Sequence, residues 1–256
     1  MLEEPLLEIQ DLTKQFGGLI AVDGVGFTVR SREIFGLIGP NGAGKTTLFN
    51  MLTGLIEPTQ GKVIYERRNI AQLKPYQIAQ CGIARTFQNL RLFGNLSVLE
   101  NVEIACHRHN STSLLADILN FASARKARQQ DRESAQILLE LVGLTSLKNQ
   151  LANNLAYGDR RRLEIARALA LKPSLLLLDE PAAGMNPNEK AALSELIREI
   201  RDRFHLTIIL IEHHIPLVMG LCDRIAVLDF GKLIALGNPE TVRQNPAVIE
   251  AYLGDE

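Results

Sequence analysis

Cysteine is scarce: Cys81, Cys106 and Cys222 are the three in 256 residues, scattered, with neither a close-set metal pattern nor an even-numbered disulfide framework. That excludes a disulfide scaffold and fits reduced thiols packed as small hydrophobes in a cytosolic protein. Excess charge of one sign is lacking too. Because 28 Lys and Arg nearly cancel 29 Asp and Glu, no basic field points to nucleic acid or an anionic membrane as the main partner. The local run Arg160 to Arg162 reads as a solvated helix face. Long apolar runs are also missing: Leu175 to Leu178 and Ile208 to Ile211 fall far short of the roughly eighteen residues a membrane-spanning helix needs. The opening MLEEPLLEIQ is acidic where an export signal carries positive charge. What remains is an ordinary globular composition, 46% hydrophobic, long enough for one large domain or a domain with a lobe.

Short β-rich runs recur between longer helical patterns: Leu6 to Ile9, Phe27 to Val29, Ile34 to Ile38, Val63 to Tyr65, Leu175 to Leu178, Thr207 to Ile211 and Ile225 to Leu228. Such alternation predicts an α/β fold with a largely parallel core sheet. SLLLLDE and LTIILIE read as strands buried on both faces, since a half-exposed strand alternates polar with apolar. The less apolar early strands read as an antiparallel edge or subdomain. Asn186, Pro187 and Glu189 are cap signals for a helix starting near Pro187, with Leu193, Leu196, Ile197 and Ile200 on one face. Between about Leu99 and Leu155 strand signal nearly vanishes, and the run AQILLELVGL is amphipathic, which predicts an inserted helical lobe. DFGKLIALG predicts a hairpin turning at Gly231, and NPAVIEAYLG a closing helix.

The stretch GPNGAGKTT, Gly39, Pro40, Asn41, Gly42, Ala43, Gly44, Lys45, Thr46 and Thr47, follows the strand pattern IFGLI and opens an apolar helix. Gly39, Gly44, Lys45 and Thr46 fit the spacing of a phosphate loop, in the strand-to-helix context that spacing requires. Glycines let backbone N–H groups turn inward, and the helix N-terminus adds partial positive charge. Lys45 is placed for the β- and γ-phosphates of a nucleotide, and the Thr46 hydroxyl for Mg²⁺. A second acidic pair, Asp179 and Glu180, closes a buried strand where ligands of parallel sheets gather. Asp179 is expected to hold Mg²⁺, and Glu180, directed to the other side of the strand, to orient or deprotonate the attacking water. Taken alone, the pair could equally be solvated acids at a strand end.

With these pieces goes a further series in order, and the chain resembles the ATP-binding-cassette ATPases over essentially its whole length. LAYGDRRRLEIARALA is similar to that family's signature segment, with Leu155, Ala156, Tyr157, Gly158 and Asp159 expected to contact the ATP held by an opposing subunit. RTFQ puts Gln88 at the Q-loop, implied to sense Mg²⁺ and water; AAGMNP covers the D-loop; IEHH puts His213 at the switch-histidine position. Phe16 resembles the aromatic that stacks on adenine. The resemblance implies a P-loop NTPase core with a mainly parallel sheet, an antiparallel β subdomain and an inserted helical lobe. One nucleotide-binding domain would then cover 1–256, with core at 1–87 and 172–256 and lobe at 88–171.

FGGLIAVDGVGF, GIARTFQNLRLF, LAYG in place of LSGG, LIEHH and NPAVIEAYLG resemble most the ATPase of branched-chain amino-acid importers. Lipopolysaccharide-transport ATPases compete, and a soluble ABC protein without a membrane partner is a further alternative. The implied ligands are ATP and Mg²⁺. The implied partners are a second ABC ATPase subunit, identical or related, integral membrane permeases and, indirectly, a periplasmic or extracellular solute-binding protein, with no nucleic acid. The implied place is the cytoplasmic face of the inner membrane. Phe87, Leu90, Leu92 and Phe93 read as a docking groove for the permease or, alternatively, as filling between core and lobe. Three positions depart from the family pattern: Asp159 where Gln is usual, His214 where Asp is common, and Met185 for a common Leu.

Overall fold

A computed structural model describes residues 5–107 and 122–253 of the chain. Their contacts divide it into two compact units, Met1–Arg85 with Ser174–Glu256, and Thr86–Pro173.

The first unit is α/β. A four-stranded antiparallel sheet has the order β2-β1-β4-β5, from β1 (Leu7–Phe16), β2 (Leu19–Val29), β4 (Gln60–Tyr65) and β5 (Arg68–Asn69). β1 and β2 are far longer than the short runs read from sequence, because Gly17 and Gly18 turn the chain at a tight hairpin that pairs Phe16 with Leu19. The six-stranded sheet runs β10-β9-β3-β8-β7-β6. Its members are β3 (Ile34–Ile38), β6 (Ile83–Arg85), β7 (Leu175–Asp179), β8 (Thr207–Ile211), β9 (Arg224–Asp229) and β10 (Lys232–Gly237). All its pairings are parallel except the β9–β10 hairpin, in line with the expected fold class.

Every residue of β3, β7 and β8 is buried, and the two faces of these strands have different covers. Phe35, Leu37, Leu175, Leu177, Ile209 and Ile211 share one core with the antiparallel sheet and with α1 (Lys45–Leu52). On the other face Gly36 is required by closeness. A Cβ there would come within 3.0 Å of Val218 and 3.1 Å of Cys222, which belong to or follow α7 (Ile215–Leu221). Helix α6 (Pro187–Phe204) starts as its cap signals demand: Asn186 accepts from the Glu189 N–H while Glu189 accepts from the Asn186 N–H. The remaining helices of this unit are α2 (Pro75–Gln80), α8 (Pro239–Arg243) and α9 (Pro246–Leu253).

The second unit is helical: α3 (Val98–His107), α4 (Ala122–Leu141) and α5 (Tyr157–Ala170) pack on one another. Part of the predicted lobe, 108–121, lies outside the described residues. Leu99, Val102, Ala135, Leu139 and Leu163 are buried there. Asn101, fully buried, accepts from the Phe93 N–H and donates to the carbonyls of Phe93 and Ser97, which ties the preceding loop to α3. Cys106 and Cys222 are buried and Cys81 half-buried, all as free thiols. Among the described residues no helix is long and apolar enough to cross a membrane.

Candidate functional site

Three adjacent strands, β3, β8 and β7, lead into the loop Gly39–Gly44, Asp179 with Glu180, and His213 at one end of the six-stranded sheet, the carboxyl ends where α/β sheets bind ligands. After β3 the loop Gly39 to Gly44 leads into α1. Its backbone admits no side chain at two points: a Cβ on Gly39, φ 149°, would stand 2.0 Å from the Leu228 carbonyl oxygen, and one on Gly44, φ 97°, 2.4 Å from that of Ala21. Lys45 is 6% exposed, and its Nζ donates to the carbonyl oxygens of Gly39 at 2.6 Å and Pro40 at 2.8 Å. Burial holds the Lys45 ammonium below the ordinary lysine range, opposed by the charge of Glu180. A cation short of counter-charge, curled over a loop before a helix N-terminus, is suited to an arriving phosphate. Thr46 is exposed and Thr47 half-buried in the first turn of α1.

The acids at the end of β7 have different partners. Asp179, 2% exposed, accepts from Arg85 Nη2 at 2.6 Å, and the same guanidinium also reaches Asn50 and Thr53. Glu180 turns through a left-handed backbone, φ 49°. Its Oε1 lies 2.9 Å from His213 Nε2, at the end of the neighbouring strand β8. Left-handed backbone at a non-glycine residue is strained and collects at functional sites. The pair so formed can orient a water and meet a terminal phosphate, while Lys45 stays within electrostatic reach of Glu180.

Several participants were not read from the sequence. Glu212, 3% exposed, accepts from the Ala182 N–H at 2.7 Å and from the His213 N–H at 3.2 Å. Burial pushes its carboxyl pKa up, and backbone donors from Ala182, His214 and His213 oppose the rise. His214, one of the three departures from the family pattern, caps α7: its Nδ1 accepts from the Leu217 N–H, the service an Asp gives at such a position. Tyr252 of α9 hydrogen-bonds the backbone of Gly39, and burial pushes its phenol up to about 12. Phe16 sits at the end of β1, 45% exposed, with Lys14 Nζ 5.0 Å from its ring centroid. Met185 is buried.

In the second unit Leu155 is buried and Ala156 is the extended cap residue of α5. The helix starts at Tyr157, so Tyr157 and Gly158 lie within its first turn. Their N–H groups are among the first-turn donors a helix leaves unsatisfied. Asp159 pairs with Arg162 at 2.9 Å, which offsets part of its charge. Arg161 corrects the solvated-face reading of the arginine run. It is 2% exposed and donates to the backbone carbonyls of Phe87 and Gln88 and to Glu164, which in turn accepts from the Phe87 N–H. The residues around Gln88 are thereby tied to α5, and Gln88 itself is exposed. Of the docking residues, Phe87, Leu90 and Leu92 are half-buried and Phe93 is exposed.

Mg²⁺ takes few protein oxygens and shares its shell with water and substrate phosphates. The Thr46 hydroxyl and the Asp179 carboxylate are donors of that kind. No group of three or more His, Cys, Asp or Glu able to cage a metal exists among the described residues.

Residues 22–183 match the family model described as ABC transporter. Residues 232–256 match that of the branched-chain amino acid ATP-binding cassette transporter. The chain is 48% identical to the high-affinity branched-chain amino acid transport ATP-binding protein LivG of Salmonella typhimurium, over 99% of this chain and 100% of that one. It is 35% identical to the lipopolysaccharide export system ATP-binding protein LptB of Haemophilus influenzae, over 98% of each. Among solved structures, an ATP-binding cassette of an ABC transporter in its ADP conformation superposes with a TM-score of 0.83 at 30% identity, covering 98% of this chain and 99% of that one.

Proposed function

Since the chain belongs to the ABC transporter ATPase family, we propose that it is the ATP-hydrolysing subunit of a branched-chain amino-acid importer, acting at the cytoplasmic face of the membrane through separate permeases. Identity of 48% to LivG against 35% to LptB supports import of amino acids over lipopolysaccharide export. The match of 232–256 to the branched-chain family model points the same way. We read Thr86–Pro173 as a helical lobe and the rest as the α/β core of one nucleotide-binding domain.

In this reading the loop Gly39–Gly44 and Lys45 hold the phosphates and Phe16 stacks on the adenine. Thr46 and Asp179 would hold Mg²⁺, and the ion would supply charge neutralisation at the phosphates. Glu180 orients the attacking water and accepts its proton, while His213 donates toward the γ-phosphate. The segment Leu155 to Asp159 of a second ATPase chain, a copy or a relative, closes over that phosphate. The face bearing Leu90, Leu92 and Phe93 receives the permease, and a solute-binding protein delivers the cargo outside. The observation carrying the proposal is the 2.9 Å contact between Glu180 Oε1 and His213 Nε2 on neighbouring strand ends beside the phosphate loop.

Reconstitution into proteoliposomes with two permeases, the partner ATPase and a solute-binding protein tests it. Leucine-loaded binding protein should stimulate ATP hydrolysis and drive uptake. Stimulation by lipopolysaccharide but not by any branched-chain amino acid would contradict the assignment.

A further inference from the structure

The ends of β7 and β8 are joined by a closed ring of hydrogen bonds. The Glu180 N–H donates to the Ile211 carbonyl at 2.9 Å, and the Glu180 carboxylate meets His213 Nε2. Two residues beyond Glu180, the Ala182 N–H donates to Glu212 Oε1, and the other carboxylate oxygen of Glu212 accepts from the His213 N–H. Glu212 therefore holds the backbone on both sides of the Glu180–His213 contact without itself facing solvent. A buried carboxylate is costly, and an apolar residue would pack at the end of the wholly buried strand β8 without that cost. What the acid adds is a pair of acceptors directed to two different loops.

We propose that Glu212 is a positioning residue for ATP hydrolysis: by clamping Ala182 and His213 at once, it keeps the His213 ring against the Glu180 carboxylate. The kinetic part rests on the reading of the chain as an ATPase; the geometric part does not. Glu212→Gln is the informative change, because an amide has the same shape but one acceptor oxygen. Whichever way it turns, its NH₂ faces a backbone N–H, and at least one of the Ala182, His213 and His214 N–H groups loses its acceptor.

Two readouts decide the matter. In nucleotide-free protein with ¹⁵N-labelled histidine, the His213 Nε2 resonance should move in Glu212→Gln toward its position in Glu180→Ala; an unmoved resonance overturns the proposal. In ATPase assays on the assembled transporter, kcat should fall about tenfold with KM changed by less than about twofold. In a His213→Ala background, where no pair exists to position, the same substitution should cost less than about twofold. A full loss there, or a lowered melting temperature with unchanged kcat per folded chain, assigns Glu212 a purely structural role and overturns the proposal. Should the glutamine chain fail to fold, Glu212→Asp keeps both acceptors on a shorter arm. It should show the same changes at smaller amplitude, and wild-type behaviour in both readouts counts as refutation. If the wild-type chain hydrolyses no ATP in any assembly, the functional reading falls, while the resonance still decides the geometry.

Discussion

The phosphate loop of the first unit and the signature segment of the second both put a helix N-terminus forward, but they surround it differently. At α1 the backbone is shaped by glycines whose close contacts exclude a side chain, and a buried ammonium is held there by the carbonyls of Gly39 and Pro40. At α5 the first turn carries an acid already paired with an arginine, and Tyr157 is exposed. The first arrangement can hold a phosphate by itself. The second offers only a helix end, worth roughly 0.3–1 kcal/mol at an exposed position, so it contributes when a phosphate held elsewhere is brought to it. In the proposed function, binding by one chain thus belongs to the first unit, and closure to the second.

The comparison breaks most visibly at Glu180. Glu180→Gln should lower phosphate release by about 10²–10⁴-fold with ATP binding retained, as measured by turnover and by nucleotide titration; loss of binding would mean that the carboxylate serves the loop instead of the water. Arg85→Met comes next. It leaves the buried Asp179 carboxylate without its guanidinium, and breaking such a pair costs about 3–5 kcal/mol, readable as a lower urea midpoint.

Lys45→Met should weaken ATP about tenfold or more, since hydrogen bonds to charged groups contribute about 1.5–3 kcal/mol. It should not lower the melting temperature of nucleotide-free protein. The pH dependence has a definite sign. The folded-state pKa of Lys45 lies below 10.5, so the unfolded chain binds more protons in the interval beneath that value, and stability rises with pH there. Lys45→Met should remove that rise. The smallest effect belongs to the signature: Asp159→Gln releases Arg162 toward the incoming anion and should tighten ATP-driven dimerisation by about 0.3–1 kcal/mol in sedimentation, with ATP binding by the single chain unchanged.

What was legible in the sequence follows the same division. A phosphate loop is written locally, as strand, glycines, lysine and helix, and Asp179 and Glu180 end a run too apolar to be anything but a buried strand. β6 was invisible because three residues carry no periodicity, although its pairing with β7 puts Arg85 beside Asp179. Arg161 was misread because three consecutive arginines suggest solvent. Its spacing from Glu164 was the available signal, since i and i+3 share a helix face, and here that face turns inward. Glu212 left no mark at all: an acid after a strand gives no hint that a donor it serves lies thirty residues away in sequence, the N–H of Ala182. His214 was noticed as a departure, yet its role as a cap depends on where α7 begins.

The most direct test of the division between binding and closure is specific ATPase activity against protein concentration, for the purified chain at saturating ATP with the oligomeric state followed in parallel. Activity per chain that climbs with concentration as dimer forms, from near zero in the monomer, is the expected result. Full activity in a strictly monomeric chain would contradict it.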